Sequence, residues 1–212
     1  MSILIVIFIG VPLAFICLHT LLRIISHLYK FPLPPILAKV IDHPLRHRIQ
    51  PPDEMAVRHG IDPGMRVLEV GPGSGTYTIA AARRVGESGW ITAVDIEPRM
   101  IEFVREKAKK EGVRNIDARV ADVYTLPLED GFFDAVFMIT VIGEIPDPGR
   151  AIREFHRVLK PSGTLAFSEL FLDPDYPRAG TLIRRATKAG FELKERIGHF
   201  FHYTLIFQKP GV

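Results

Sequence analysis

The sequence predicts an α/β fold, a doubly wound sheet of seven strands with the last antiparallel. Three observations predict it. From residue 66 onward, short apolar runs alternate with longer amphipathic stretches, the pattern of successive βα units. The first run passes into Gly71-Pro72-Gly73-Ser74-Gly75, a turn with glycine at alternate positions. The last two runs are joined only by Gly198-His199-Phe200-Phe201-His202, too short for a parallel crossover, so they form a hairpin.

The elements follow in order. Ile3 to Leu18 carries no polar side chain, and with His19 and Thr20 tolerated the apolar stretch reaches Leu22. A helix of about twenty such residues spans a bilayer core. Gly10 and Pro12 suit a membrane helix, and no basic leader or small-residue cleavage site marks a signal peptide. The expectation is one transmembrane helix within an anchor and basic flank of residues 1–30; a buried helix of the domain is the plain alternative. From Arg23 to Gln50 there are Arg23, Lys30, Lys39, Arg46 and Arg48 against the single acid Asp42. The positive-inside rule then predicts a single-pass membrane protein with its main domain in the cytoplasm.

Residues 31–60 read as a linker and capping segment. Phe31-Pro32-Leu33-Pro34-Pro35 is a stiff connector. Ile36–Ile41 is placed at the membrane surface, and a short helix runs from Asp53, its expected N-cap, to His59. His43, Arg46, His47 and Gln50 either face a ligand from this segment or sit on a solvated surface. The third unit, residues 61–212, holds strands at Arg66–Val70, Trp90–Asp95, Ile116–Ala121, Phe133–Ile139, Thr164–Leu170, Phe191–Ile197 and Tyr203–Gln208. Helices are predicted at Thr76–Val85, Pro98–Glu111, Pro148–Leu159 and about Arg178–Ala189.

The first βα turn carries the chemistry. Glycines permit positive φ and close approach of a ligand to the main chain, and the helix start beyond offers free N–H groups. That is the cradle of a Rossmann-like sheet. A dinucleotide fingerprint requires G-x-G-x-x-G, but the last position here is Thr76. Glu69, Gly71, Gly73 and Gly75 fit E-x-G-x-G-x-G instead. About twenty residues on, Asp95 ends the second strand, where a carboxylate accepts from two ribose hydroxyls. Asp122-Val123 precedes Leu126-Pro127-Leu128 and Phe132-Phe133-Asp134, and Arg157-Val158-Leu159-Lys160-Pro161-Ser162-Gly163 precedes the fifth strand.

These four ordered motifs resemble those of class I S-adenosylmethionine (SAM)-dependent methyltransferases, closest to the ubiquinone/menaquinone-biosynthesis and "type 11" kinds. Ser162 stands where that pattern has glycine. The resemblance implies a SAM-binding methyltransferase domain with Glu69, Gly71, Gly73, Ser74, Gly75, Asp95, Ile96, Asp122, Val123 and Thr140 around the cofactor. In that assignment the glycine loop meets the methionine part, Asp95 the ribose, and Asp122 with Val123 the adenine.

The acceptor is less determined. Methyl transfer is an in-line displacement, so positioning supplies much of the catalysis, and a base is needed only if the acceptor must lose a proton. Glu144, Glu169, Tyr176 and His199 follow strands on the ligand side and are the candidates. Phe171, Tyr176, Phe200, Phe201 and Tyr203 lie in or beside the same segments and suggest an apolar cleft. A membrane anchor would favour a membrane-associated or lipid-like small-molecule acceptor. A soluble small molecule, a protein acceptor, and a non-catalytic SAM-binding scaffold are the alternatives.

Other classes are disfavoured. A net charge of +3 without aromatic-interleaved basic patches argues against nucleic acid as a partner. The single cysteine, Cys17, excludes an internal disulfide and a cysteine-rich metal site, and no metal-ligand pattern appears.

Overall fold

The computed structural model describes residue 8, residues 10–28 and residues 42–211. Its sheet comprises β1 (Arg66–Val70), β2 (Trp90–Asp95), β3 (Ile116–Val120), β4 (Phe133–Ile139), β5 (Leu159–Leu170), β6 (Glu192–Gly198) and β7 (His202–Gln208). The spatial order is β3-β2-β1-β4-β5-β7-β6. β7 runs antiparallel to both of its neighbours, and the remaining pairs are parallel. The order turns back between β1 and β4, which places a ligand crevice above their carboxyl ends.

The helices are α1 (Val11–Leu28), α2 (Pro44–Ile49), α3 (Pro52–Arg58), α4 (Thr76–Val85), α5 (Pro98–Lys110), α6 (Pro148–Val158) and α7 (Ala179–Lys188). α3, α4 and α5 cover one sheet face; α6 and α7 cover the other. The central strand β4 is apolar on both sides, and Ala135 to Ile139 are all buried, as a strand sandwiched between helix layers must be. α6 shows how the outer layer is built. Ala151, Ile152, Phe155 and Val158 form its buried stripe while Arg150 and Arg153 stay exposed. Pro148 opens it, and the Asp147 carboxylate accepts from Arg150 N–H at 3.0 Å as its cap. At the sheet edge, β6 exposes Glu192, Lys194, Glu195 and Arg196, charges that discourage pairing with another chain.

Two expectations about boundaries are adjusted. β5 begins at Leu159, not Thr164, because buried Leu159 already pairs with Phe133; the ladder then shifts register before Ala135 meets Thr164. Ser162 takes the left-handed conformation in that irregularity, φ 63°. Asp53 lies in the first turn of α3, whose N-cap is Pro51 with no side-chain bond.

The transmembrane anchor and the single-pass topology with a cytoplasmic domain are overturned. Among the described residues, no helix is long and apolar enough to cross a membrane. α1 has 18 residues, a rise of about 27 Å against about 30 Å of hydrocarbon. Its second half also carries polar side chains that engage the domain. Arg23 Nη2 donates to the Tyr176 carbonyl at 3.1 Å, its guanidinium lies 5.3 Å from the Phe171 ring centre, and His19 packs 5.9 Å from the same ring. The remaining residues of the expected span, with the proline connector and the Ile36–Ile41 surface segment, lie outside the described residues.

Candidate active site

The carboxyl ends of β1, β2 and β4 open into a cavity of about 300 Å³, closed on one side by Asp42 and Arg46 from the segment before the core. Its floor is the glycine turn. Gly71 holds φ 68° while its N–H bonds the Val94 carbonyl at 2.9 Å, and a Cβ there would sit 2.6 Å from Val141. Only glycine serves both demands. Gly73 also has positive φ, 54°, yet a Cβ there would meet nothing within 4 Å. Its requirement for openness is therefore toward whatever enters the cavity. Gly75 does not line the cavity; it brings the turn against the Val104 backbone of α5.

Carboxyl groups define the poles. Glu69, next to last in β1, is almost fully buried, its Oε2 without a partner. Burial, with the charge of Asp95 nearby, pushes its carboxyl up to about 8. A buried unpaired carboxyl oxygen is costly, and a cationic ligand group would satisfy it. Asp95 ends β2 and accepts from Glu97 N–H at 2.9 Å; burial, then the charge of Glu97, raises it to about 6. Asp122 lies beyond β3, exposed, its carboxylate accepting from Tyr124 N–H at 2.9 Å in a turn that presents Val123 to the cavity.

Thr140 closes the end of β4. It is one of two non-glycine residues with positive φ, 55°, among the described residues. Its N–H bonds the Ser168 carbonyl at 2.8 Å, and its hydroxyl donates to Ile139 O and accepts from Arg46 Nη2 at 2.5 Å. Such a conformation persists only where neighbours hold it, and it is a feature of working sites.

The structure gathers Glu69, Gly71, Gly73, Ser74, Asp95, Ile96, Asp122, Val123 and Thr140 around one cavity. Of the candidate bases, Glu144 is on its wall and the others are not. Glu169 lies behind it on β5, buried, with Oε1 unpartnered. Burial, reinforced by Asp173 and Glu144, pushes its carboxyl well above the carboxylate range. Tyr176 is a core residue whose hydroxyl donates to the Phe200 carbonyl. His199 is a turn residue of the β6–β7 hairpin, exposed, its ring accepting from Phe201 N–H at 3.3 Å.

Asp42 and Tyr77 also line the cavity, although no motif marks them. The one signal for Asp42 was its solitary charge in a basic stretch. Of His43, Arg46, His47 and Gln50, only Arg46 joins the wall. Gln50 is buried, accepts from Arg46 Nε at 3.2 Å and offers its carbonyl to Tyr77 OH. His43 caps α2, and His47 pairs with Asp42.

Comparison with known proteins agrees with this geometry. A family described as a methyltransferase domain matches residues 68–167. The ubiquinone/menaquinone biosynthesis C-methyltransferase of Vibrio campbellii is 36% identical over 119 residues, 54% of this chain and 46% of that protein. The arsenite methyltransferase of Halobacterium salinarum is 32% identical over 115 residues, 54% of this chain and 29% of its own. The match thus spans less than half the length of these relatives. Among solved structures, a SAM-dependent methyltransferase from Aquifex aeolicus superposes with TM-score 0.79 at 24% identity, over 84% of this chain and 100% of its own. The [4+2]-cyclase SpnF follows at TM-score 0.69 and 23% identity, covering 77% and 81%. These two likenesses show the fold; the second shows that the fold is not tied to one reaction.

Proposed function

We propose that this chain, an enzyme whose residues 68–167 form a class I SAM-dependent methyltransferase domain, methylates a small, largely apolar acceptor held above the carboxyl ends of β4 and β5. One observation carries the reading: the glycine turn, Asp95 and Asp122 open on the same cavity as Thr140 and Glu144. A site for cofactor and a site for acceptor are therefore continuous.

The cofactor's fit to the chain rests on the unpartnered Glu69 oxygen and on the open space above Gly73. When bound, SAM supplies an electrophilic methyl group on a sulfonium. The chain's own residues do the rest. Asp95 binds the ribose hydroxyls, Asp122 and the Val123 N–H hold the adenine, and Glu69 balances the positive charge of the methionine end. Tyr77 and Ile139 flank the cavity and exclude water from it. Glu144 is the wall carboxylate positioned to take a proton from an acceptor that must lose one.

The acceptor's character is drawn from the neighbouring aromatic set. Phe171, Tyr176 and Phe200 pack with ring centres 4.7 to 5.8 Å apart at the ends of β5 and β6, and Phe200 and Phe201 remain exposed. These rings stand beside the cavity and do not line it; its own walls are Val70, Tyr77, Ile139, Val141 and Ile145 with a few polar groups, a lining that suits a ring-bearing or lipid-like molecule. That the Vibrio relative is a ubiquinone/menaquinone C-methyltransferase supports a quinone-like acceptor. The test is incubation with methyl-labelled SAM and, in parallel, lipid extract and aqueous extract. Label entering an extractable lipid supports the reading. Label only in water-soluble small molecules or protein sinks the apolar acceptor, and no label anywhere sinks the transfer.

A further inference from the structure

Two hydroxyls and one ammonium converge beside the glycine turn on a single oxygen. Ser74 Oγ donates to Asp42 Oδ2, Thr76 Oγ1 donates to the same oxygen at 2.5 Å, and Lys107 Nζ lies 3.5 Å from it while donating to Thr76. The other carboxylate oxygen meets His47 Nε2 at 2.6 Å. The donors come from the glycine turn, α4 and α5. The acceptor comes from a residue 32 positions before Ser74, in the segment preceding the core. Burial alone would raise the Asp42 carboxyl. The bonds from Ser74, Thr76 and His47 and the Lys107 charge outweigh it and hold the group at about 2. The cradle is thus built for a carboxylate and strongly prefers it ionised.

We propose that Ser74 on the cavity wall, with Thr76 and Lys107 behind it, forms a carboxylate subsite at the edge of the cofactor cavity, occupied in the free chain by Asp42 and taken over by the α-carboxylate of the entering cofactor. The inference rests on the SAM reading of the cavity. Three observations support the exchange. Asp42 and Ser74 line the same cavity as Asp95 and Asp122, so the subsite is continuous with the nucleoside end. The glycine turn lies between the two ends. The amino-acid end of the cofactor carries one carboxylate, and these donors can take only one. Asp42 is then an internal competitor, since an occupant tethered in the same chain is present at high effective concentration. Its release frees α2, which it holds through His47, and so couples cofactor entry to movement of the capping segment.

The exchange predicts a difference between ligands that share the nucleoside but not the carboxylate. S-adenosylhomocysteine carries the carboxylate; 5′-methylthioadenosine does not. Removing the competitor in Asp42→Asn should tighten S-adenosylhomocysteine roughly five- to tenfold, because apparent affinity scales with the fraction of open subsite. It should leave 5′-methylthioadenosine unchanged. Ser74→Ala/Thr76→Val should weaken S-adenosylhomocysteine and again spare 5′-methylthioadenosine. Calorimetry on the full chain, with circular dichroism to show that each variant is folded, reads both. Asp42→Asn that leaves S-adenosylhomocysteine unchanged, or weakens it, overturns the exchange, as does a double variant with an unaltered ratio of the two affinities. If the unaltered chain binds neither nucleoside, the cofactor reading itself fails, a result distinct from failure of the exchange.

Discussion

Arg46 and Thr140 meet across 94 residues, the guanidinium donating to the hydroxyl at 2.5 Å. The contact ties α2 to the end of β4, at a residue whose backbone already stands in the left-handed region. Arg46 also lies 5.6 Å from the Tyr77 ring and binds Gln50. One side chain therefore fixes the cap, the strand end and an aromatic wall together. Arg46→Met keeps much of the stem and removes the fork. It should raise KM for SAM about tenfold, the equivalent of about 1.4 kcal/mol, as a hydrogen bond to a charged group predicts. The melting temperature should fall by about 2–4 °C, since the lost bonds join α2 to β4 and satisfy buried Gln50. Steady-state kinetics with a thermal melt checks both; an unchanged KM removes Arg46 from the cofactor wall.

The glycines of the turn separate folding from binding. A Cβ at Gly71 collides with Val141 at 2.6 Å, so Gly71→Ala should destabilise the fold by more than about 1 kcal/mol, the sum of positive φ and overpacking. At Gly73 the space is open. Gly73→Val should therefore cost only the backbone term, yet abolish SAM binding by filling the cavity. Denaturant melts set beside calorimetric titrations distinguish the two. Equal stability loss with retained binding in both variants would remove the cavity role from Gly73.

Asp95 makes cofactor affinity depend on pH. Its carboxyl is raised to about 6 in the free chain by burial first and by Glu97 second. A raised acid favours the fold in its neutral form, so this contribution is present below the unfolded value near 4 and is lost as pH rises through about 6. Bonds from ribose hydroxyls favour the ionised form and lower the value on binding. SAM affinity should then fall more steeply as pH drops below 6, by up to a further tenfold per pH unit, beneath the fall that Glu69, raised to about 8, sets at higher pH. Asp95→Asn should remove the added steepness below pH 6 and leave the Glu69 limb in place. Asp95→Ala should bind at least tenfold more weakly at neutral pH, each charge-assisted bond being worth about 1.5–3 kcal/mol. A wild-type profile that does not steepen between pH 6 and 5 would remove Asp95 from the ribose.

The sheet was readable because its signals are local. Apolar runs bounded by turn residues located all seven strands, and the five-residue Gly198–His202 connection required the reversed last strand that is observed. The glycine turn and the acids at strand ends were readable for the same reason: a short stretch of chain makes each. What escaped depends on distant pairs. Nothing in the neighbourhood of Asp42 says that Ser74 and Thr76 will reach it, and nothing near Arg46 names Thr140. α1 shows the converse error. Its apolar run resembles a membrane span, but Arg23 and His19 are matched to Tyr176 and Phe171, more than 150 residues away.

The aromatic wall also needs sorting by burial before it is tested. Tyr176 is 5% exposed, and its hydroxyl donates to the Phe200 carbonyl, so it supports the wall from behind. Tyr176→Ala should cost about 3 kcal/mol in stability, as a large-to-small change in a core does, and any loss of activity would follow from that. Phe201 is 38% exposed and Phe200 59% exposed, both beside the end of β5. Their replacement by Ala leaves no closed cavity, so stability should change by less than about 0.5 kcal/mol. If the acceptor is apolar, each should raise its KM several-fold while SAM affinity holds. The joint measurement is a melt, a SAM titration and a rate at subsaturating acceptor for all three variants. Loss confined to Tyr176→Ala would make the aromatic cluster a structural brace, and the acceptor would then be sought along Glu144 and Asp173, the acidic part of the cavity wall.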